Sequence, residues 1–269
     1  MAPDDLDAPA GAAADWTIEQ QWEAYTAAEH DVWVKLYERQ ARLLSGRACD
    51  EFLGGLNALQ LNRGGIPDFK RINGDLGRLT GWQVVAVPGL VPDAIFFDHL
   101  ANRRFPAGRF IRGLDQLDYL AEPDVFHDVF GHVPMLTNPV FADYMQAYGQ
   151  GGLRALNQGQ LHNLARLYWY TVEFGLLATP LGLRVYGAGI ASSAAETLYA
   201  LDDPRPRRAK FDLERVMRTP YRIDSFQDGY FVAPSLEALL QATLQDFSTI
   251  YKTLSGASDL HVCALWPSD

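Results

Sequence analysis

Apolar residues recur at helical spacing through much of the chain, and a few short β-branched runs interrupt them. Thr26-Ala-Ala-Glu29 has the capping-box pattern that opens a helix. Val32, Trp33, Leu36 and Tyr37 then fall on one face, which predicts a helix running to Leu43 or Leu44 before Ser45-Gly46. Further helices are expected over 49–61, across Gly54-Gly55, and over 68–79, stopped by Gly81. Trp82-Gln-Val-Val-Ala-Val87 reads as a strand, and 93–100 as a short helix with Asp93 in the cap position. Loop or short strand follows over 103–112. Pro123 and Asp124 suit the first turn of another helix. Helices are expected over 141–148, ended by Gly149 to Gly152, and over 161–177, which has no Pro and only Gly175 near its end. Short strands are expected at 183–186 and 231–233, with helices at 192–201 and 234–254. The sum is a mostly α fold (α+β, with a few short strands).

Composition sets the limits of this picture. Residues 1–15 are Ala, Pro, Asp and Gly with little to bury, and read as a disordered tail. Residues 16–269 show no linker and no repeat, so they are expected to form a single catalytic domain. The formal net charge is −10 and the pI near 5.0. That excludes a phosphate-binding basic surface and a polybasic membrane anchor. No apolar run reaches transmembrane length, and the acidic N-terminus lacks the features of a signal peptide. The only two cysteines, Cys49 and Cys263, are far apart, and free thiols in a reducing compartment are expected. The chain therefore reads as cytoplasmic, with no nucleic-acid or membrane partner.

Candidate chemistry concentrates in Glu122-Pro-Asp-Val-Phe-His127-Asp-Val-Phe-Gly-His132-Val-Pro134. Two of the six histidines lie here, five residues apart, each flanked by large apolar residues. Asp124 and Asp128 lie near enough to orient an imidazole. On a regular helix, positions i and i+5 diverge by about 140°. The two rings can share an ion only if the helix ends or distorts, or the backbone turns, between His127 and Pro134, and Gly131 is the expected place. A third group lies forty residues on. Stepping back from Glu173 by three, four, seven and eleven reaches Tyr170, Trp169, Arg166 and His162, which would share a broad face. A carboxylate among such aromatics needs a partner. Two imidazoles and one carboxylate would form the facial triad of non-haem iron oxygenases. The spacing alone leaves open a pair of structural histidines in a helical binding module.

Three motifs in order carry a family resemblance. Glu122-Pro-Asp-Val-Phe-His-Asp-Val-Phe-Gly-His-Val-Pro-Met135 resembles the iron-binding signature of the pterin-dependent aromatic amino acid hydroxylases. Tyr168-Trp-Tyr-Thr-Val-Glu-Phe-Gly-Leu176 resembles their third-ligand helix, and Tyr186-Gly-Ala-Gly-Ile-Ala-Ser-Ser193 their substrate-pocket segment. The similarity extends from about Tyr25 to the C-terminal helix and is nearest to the short bacterial branch, which acts on L-phenylalanine. It implies Fe(II) ligands His127, His132 and Glu173, and a tetrahydropterin co-substrate on Phe96 near Gly89, Val91 and Tyr168. It further implies Arg112 on the substrate carboxylate, Tyr119, Pro123 and Trp169 around the ring, and Gly189 and Ser192 beside the amino acid backbone. The implied reaction converts L-phenylalanine to L-tyrosine with O2 and the pterin, in a monomer without the animal enzymes' extra domains. Leu120 and Asp128 depart from the animal pattern. Hydroxylation of tryptophan or tyrosine is the alternative within the family. Outside it, a zinc hydrolase would also use His2Glu but lacks the His-Glu-x-x-His register. A 2-oxoglutarate oxygenase would want His-x-Asp on a β-barrel.

Overall fold

The computed structural model describes residues 7–118, 120 and 122–264. The first helix, α1 (Ala27–Leu44), starts where the capping box places it. The Thr26 hydroxyl accepts from the Glu29 N–H at 3.2 Å, and the Glu29 carboxylate accepts from the Thr26 N–H at 2.7 Å. Its buried face is Val32, Trp33, Leu36, Gln40 and Leu44. α2 (Asp50–Ala58) ends earlier than its apolar pattern implies. Within α2, Gly55 is a packing notch and not a break: a Cβ there would come 2.1 Å from the Pro134 carbonyl oxygen. α3 (Phe69–Thr80) is capped by Asp68 and closed by Gly81 at φ +76°.

A parallel pair follows. β1 (Gln83–Val87) and β2 (Arg104–Gly108) flank α4 (Asp93–Ala101), with Gln83 opposite Arg104 and Val87 opposite Gly108. Asp93 is the first residue of α4, and Pro92 takes the cap position, so the expected side-chain cap is absent. Pro106 is tolerated in β2 because that strand pairs on one side only. The N-terminal segment is tied to this unit. Asp15 pairs with Arg104 at 2.8 Å, its carbonyl accepts from His99 Nε2 at 2.8 Å, and Trp16 packs with Val87 and Val91.

α5 (Pro139–Asn157) runs through the glycines expected to end it. Gly149 and Gly152 are the points where α4 presses closest. A Cβ at Gly149 would meet the Ala101 nitrogen at 2.4 Å, and one at Gly152 the Phe97 ring at 2.0 Å. Small residues there allow close approach of two helices, which outweighs their poor helix propensity. α6 (Leu161–Tyr168) is half the length expected, since the segment changes helical type at Trp169 and becomes β3 (Leu176–Thr179).

The second sheet has the order β4-β3-β6-β5. β4 (Gly182–Val185) returns antiparallel to β3. α7 (Ala188–Ala191) and α8 (Ala194–Asp202) follow, the latter capped by Ser193. β5 (Arg207–Lys210), α9 (Leu213–Arg218) and β6 (Gly229–Ala233) complete the sheet. Neither β5 nor α9 is visible as a periodic run, because each is short and rich in Arg. The expected helix over 234–254 is two helices, α10 (Leu236–Leu244) and α11 (Phe247–Leu254). Asp246 divides them by accepting from the Ser248 N–H at 2.9 Å as a fresh N-cap.

Candidate metal centre

Residues Phe126–His132 are wound as a π-helix. In that form each carbonyl bonds the N–H five residues on, so residues five apart lie over one another. His127 and His132 therefore face the same way, with ring centroids 5.0 Å apart and their Nε2 atoms at 3.2 Å. The helix is distorted from the regular form, as expected, but by widening along the whole segment and not by a turn or an end at Gly131. Widening the whole segment achieves what a break was expected to do. Gly131 has another role: a Cβ there would meet Ala188 of α7 at 3.0 Å. The other face of the segment is anchored in the core. Phe126 meets Trp33 edge-on at 5.3 Å and Phe130 meets Tyr37 at 5.6 Å. That anchoring turns both imidazoles away from α1.

Beyond α6 the chain repeats this device over Trp169–Glu173, again π-helical, with the Phe174 N–H donating to the Trp169 carbonyl at 2.8 Å. It brings Glu173 Oε1 to 3.2 Å from His132 Nε2, and Oε2 to 3.5 Å from His127 Nε2. The single face expected from His162 to Glu173 is not kept. Arg166 pairs with Asp259, Tyr170 donates to the Pro220 carbonyl, and Trp169 stacks on Tyr221 at 4.3 Å.

The three groups could hold one metal ion. Metal–ligand bonds of about 2.1 Å put adjacent ligand atoms about 3.0 Å apart on an octahedral face and about 3.4 Å apart in a tetrahedron. The observed 3.2 Å between the imidazoles, 3.2 Å from His132 to Oε1 and 3.5 Å from His127 to Oε2 bring all three groups within reach of a single ion. The donor atoms suit a cation electrostatically. Burial depresses the His127 imidazole to about 4, despite Glu173 beside it, so it is neutral with a free lone pair. Burial raises Glu173, but His132 beside it, with the Gly189 N–H, more than offsets that and holds the carboxyl below its usual range.

Neither aspartate orients an imidazole, contrary to expectation. Asp124, fully buried, accepts from the Arg112 backbone N–H at 3.0 Å and from Nε and Nη2 at 2.8 Å each, and also from the His127 N–H at 3.0 Å. Burial pushes its carboxyl up, and the Arg112 guanidinium more than reverses this. Asp128 accepts from the Gly108 N–H at 2.7 Å, and burial raises it to about 7. The partner of His127 is Ser192, whose hydroxyl lies 3.0 Å from Nδ1. The Nδ1 of His132 is buried with no hydrogen-bond partner among the described residues, and Phe105 covers that ring at 4.9 Å.

The remaining expected residues fall into two groups by their contacts. Tyr168 lies nearly parallel to the His132 ring at 6.2 Å, and Phe96 meets Tyr168 edge-on at 5.6 Å. Val91 packs beside Phe96, and Gly89 faces Glu122, whose Oε1 would be 3.3 Å from a Cβ. In the second group Trp169 lies against Phe174 at 4.8 Å, and Gly189 sits where a Cβ would meet the Glu173 carbonyl at 3.1 Å. Pro123 is half-buried beside Asp124. Tyr119 lies outside the described residues. Sequence reasoning missed the residues that steady these groups. Gln227 accepts from Trp169 Nε1 at 3.0 Å, Tyr221 stacks on the same indole, and Phe105 covers His132. Each comes from a distant segment and reads locally as core or loop, so no local signal marks it.

Residues 17–259 match the family described as biopterin-dependent aromatic amino acid hydroxylase. The chain belongs to this family. A phenylalanine-4-hydroxylase of Caulobacter vibrioides is 69% identical over 261 residues, covering 97% of this chain and 89% of the relative. That of Ralstonia nicotianae is 62% identical, covering 91% and 80%. Among solved structures, the phenylalanine hydroxylase of Chromobacterium violaceum bound to cobalt superposes with a TM-score of 0.93 at 53% identity, over 98% of this chain and 95% of that one. A structure of the same enzyme with iron and phenylalanine bound gives 0.91 at 53% identity, over 96% and 94%. As a member of the biopterin-dependent hydroxylases, the chain has its His2Glu set in the setting of an iron monooxygenase. Membership of that family sets aside the hydrolase, the 2-oxoglutarate oxygenase and the binding module.

Proposed function

We propose that the chain is a phenylalanine 4-monooxygenase, converting L-phenylalanine, O2 and a tetrahydropterin to L-tyrosine and a hydroxylated pterin. The observation that carries this reading is the convergence of His127, His132 and Glu173 at 3.2–3.5 Å in a member of this family. The identity of 54–69% to phenylalanine-4-hydroxylases favours phenylalanine over tryptophan and tyrosine. These three residues would hold Fe(II), which would activate O2, the oxidant, with the two electrons that the tetrahydropterin supplies.

The protein's part is orientation and exclusion of water. Asp124 occupies Nε and Nη2 of Arg112 and leaves Nη1 with no protein partner among the described residues, free for the substrate carboxylate. Trp169 and Pro123 border the ring, and Trp169 is held rigid by Gln227 and Tyr221. Gly189 and Ser192 flank the amino acid backbone. Ser192 also fixes the His127 ring, so that Nε2 is presented to the metal. Phe96, with Gly89, Val91 and Tyr168 near it, would hold the pterin. Phe96 is half-buried and forms only edge-on ring contacts among the described residues. The chain acts as a cytoplasmic monomer on small molecules; none of its described helices is long and apolar enough to cross a membrane.

The test is a product assay after anaerobic Fe(II) reconstitution, with phenylalanine, tyrosine and tryptophan, each with and without tetrahydropterin. Tyrosine formed from phenylalanine only when iron and pterin are both present is the expected result. Pterin-independent turnover, or tryptophan as the better substrate, refutes the reading.

A further inference from the structure

Thr171 lies inside the second π turn, two residues before Glu173, and is fully buried. Its hydroxyl is 2.5 Å from the Leu167 carbonyl oxygen and 2.6 Å from the Tyr144 hydroxyl. A carbonyl only accepts, so Thr171 donates to Leu167. Its oxygen is then left to accept, and Tyr144 must donate. Burial raises the Tyr144 phenol well above its usual range, which keeps it a donor. The result is a one-way chain from Tyr144 on α5, through Thr171, to the Leu167 carbonyl in the last turn of α6. Tyr148, one turn along α5, donates to the Leu164 carbonyl at 3.1 Å, so α5 braces α6 twice.

A hydroxyl bonded to the carbonyl four residues back competes with the helical ladder and bends it. This one acts where the ladder changes from four-residue to five-residue spacing. We infer that Tyr144 and Thr171 are positioning residues: their hydroxyl chain holds the junction of α6 and the π turn open and so aims the Glu173 carboxylate at the two imidazoles. Without the Thr171 hydroxyl the junction relaxes toward a continuous α-helix, and the carboxylate leaves its place 3.2 Å from His132. The effect reaches the metal only through backbone geometry, since neither hydroxyl has Glu173 as a hydrogen-bond partner.

The inference rests on the reading of His127, His132 and Glu173 as ligands of one ion, and the test separates the two. The metal-free protein is titrated with Co(II), following the visible band that reports its coordination, alongside thermal melting. Thr171→Val is expected to weaken Co(II) binding by about tenfold, at the lower end of what outer-sphere changes cost, and to alter the band. Thr171→Ser restores both. The double variant Tyr144→Phe with Thr171→Val removes the buried donor together with its acceptor, so it melts above Thr171→Val yet binds Co(II) as weakly. If the Val and double variants bind Co(II) with the affinity and band of the unsubstituted protein, whatever their melting points, the inference is overturned. If the unsubstituted protein takes up no stoichiometric Co(II), the metal reading falls and the inference with it.

Discussion

Asp124 joins the fold to the site, and its replacement by Asn is the most demanding perturbation of the structure. Asp124 is fully buried, Arg112 is 8% exposed, and four N–H groups converge on the one carboxylate. An Asn side chain keeps the shape and one acceptor oxygen, but its NH2 must face a guanidinium donor. The guanidinium is left as a buried charge without a counter-charge. Breaking a buried pair on one side costs roughly 3–5 kcal/mol. At this chain length that is a fall in melting temperature of roughly 6–20 °C, taking about 2–4 °C per kcal/mol. Denaturant titration gives the free energy directly. Acid supplies a second measurement. The folded carboxyl titrates below its unfolded value of about 3.9, so its stabilisation is fully present above that pH and is lost as the pH falls toward the folded value. The gap between Asp124→Asn and the unsubstituted protein is therefore constant at neutral pH and closes in acid. Arg112→Met with Asp124→Leu, which removes both charges, recovers most of the loss. An Asp124→Asn protein with an unchanged denaturant midpoint would refute the account of Arg112 as a residue held by its partner.

Glycine substitutions in α5 should move stability in opposite directions: Gly151→Ala, with no atom nearer than 3.8 Å, gains about 0.5–1 kcal/mol in a thermal melt, while Gly152→Ala loses about 1–3 kcal/mol against Phe97. Ferrous or cobaltous ion at about one hundred times its dissociation constant should stabilise the protein by about 2.7 kcal/mol, and Glu173→Gln should abolish that shift in differential scanning fluorimetry. His99 should make folding acid-sensitive. It is buried, donates through Nε2 to the Asp15 carbonyl and has no partner for Nδ1 among the described residues, and burial lowers its pKa. The unfolded chain then binds the extra proton first, and stability declines as the pH falls below about 6.5; His99→Gln should flatten that decline in denaturant titrations between neutrality and mild acid.

How much of this was legible in the residues depends on the range of the force that sets each feature. The α1 cap was legible because Thr26 and Glu29 satisfy each other within one turn. The long helix over 234–254 was not, because an apolar face continues across Asp246 while the backbone does not. Gly149 and Gly152 looked like a stop because their value lies in α4, forty and more residues away. At the site, the ligand types and the three motifs were legible, and the way the ligands meet was not. Periodicity of 3.6 residues separates His127 from His132, and only tertiary packing of Phe126 and Phe130 on α1 reveals the wider winding. Ser192 was expected at the substrate, and its bond to His127 depends on α7 folding back over the first π segment.

The paired π-helical segments have a further consequence for how this chain tolerates change. A π turn is an α-helix carrying one residue more than its ladder needs. Losing a single residue between His127 and His132, Val129 for example, would restore a regular helix with the histidines four apart, a spacing that again places both on one face. It would also rotate everything after it relative to Glu173. The centre is therefore more exposed to single-codon insertions and deletions than to most substitutions. Searches for kindred sites should accordingly allow the ligand spacing to vary by one where the helix wall is wide.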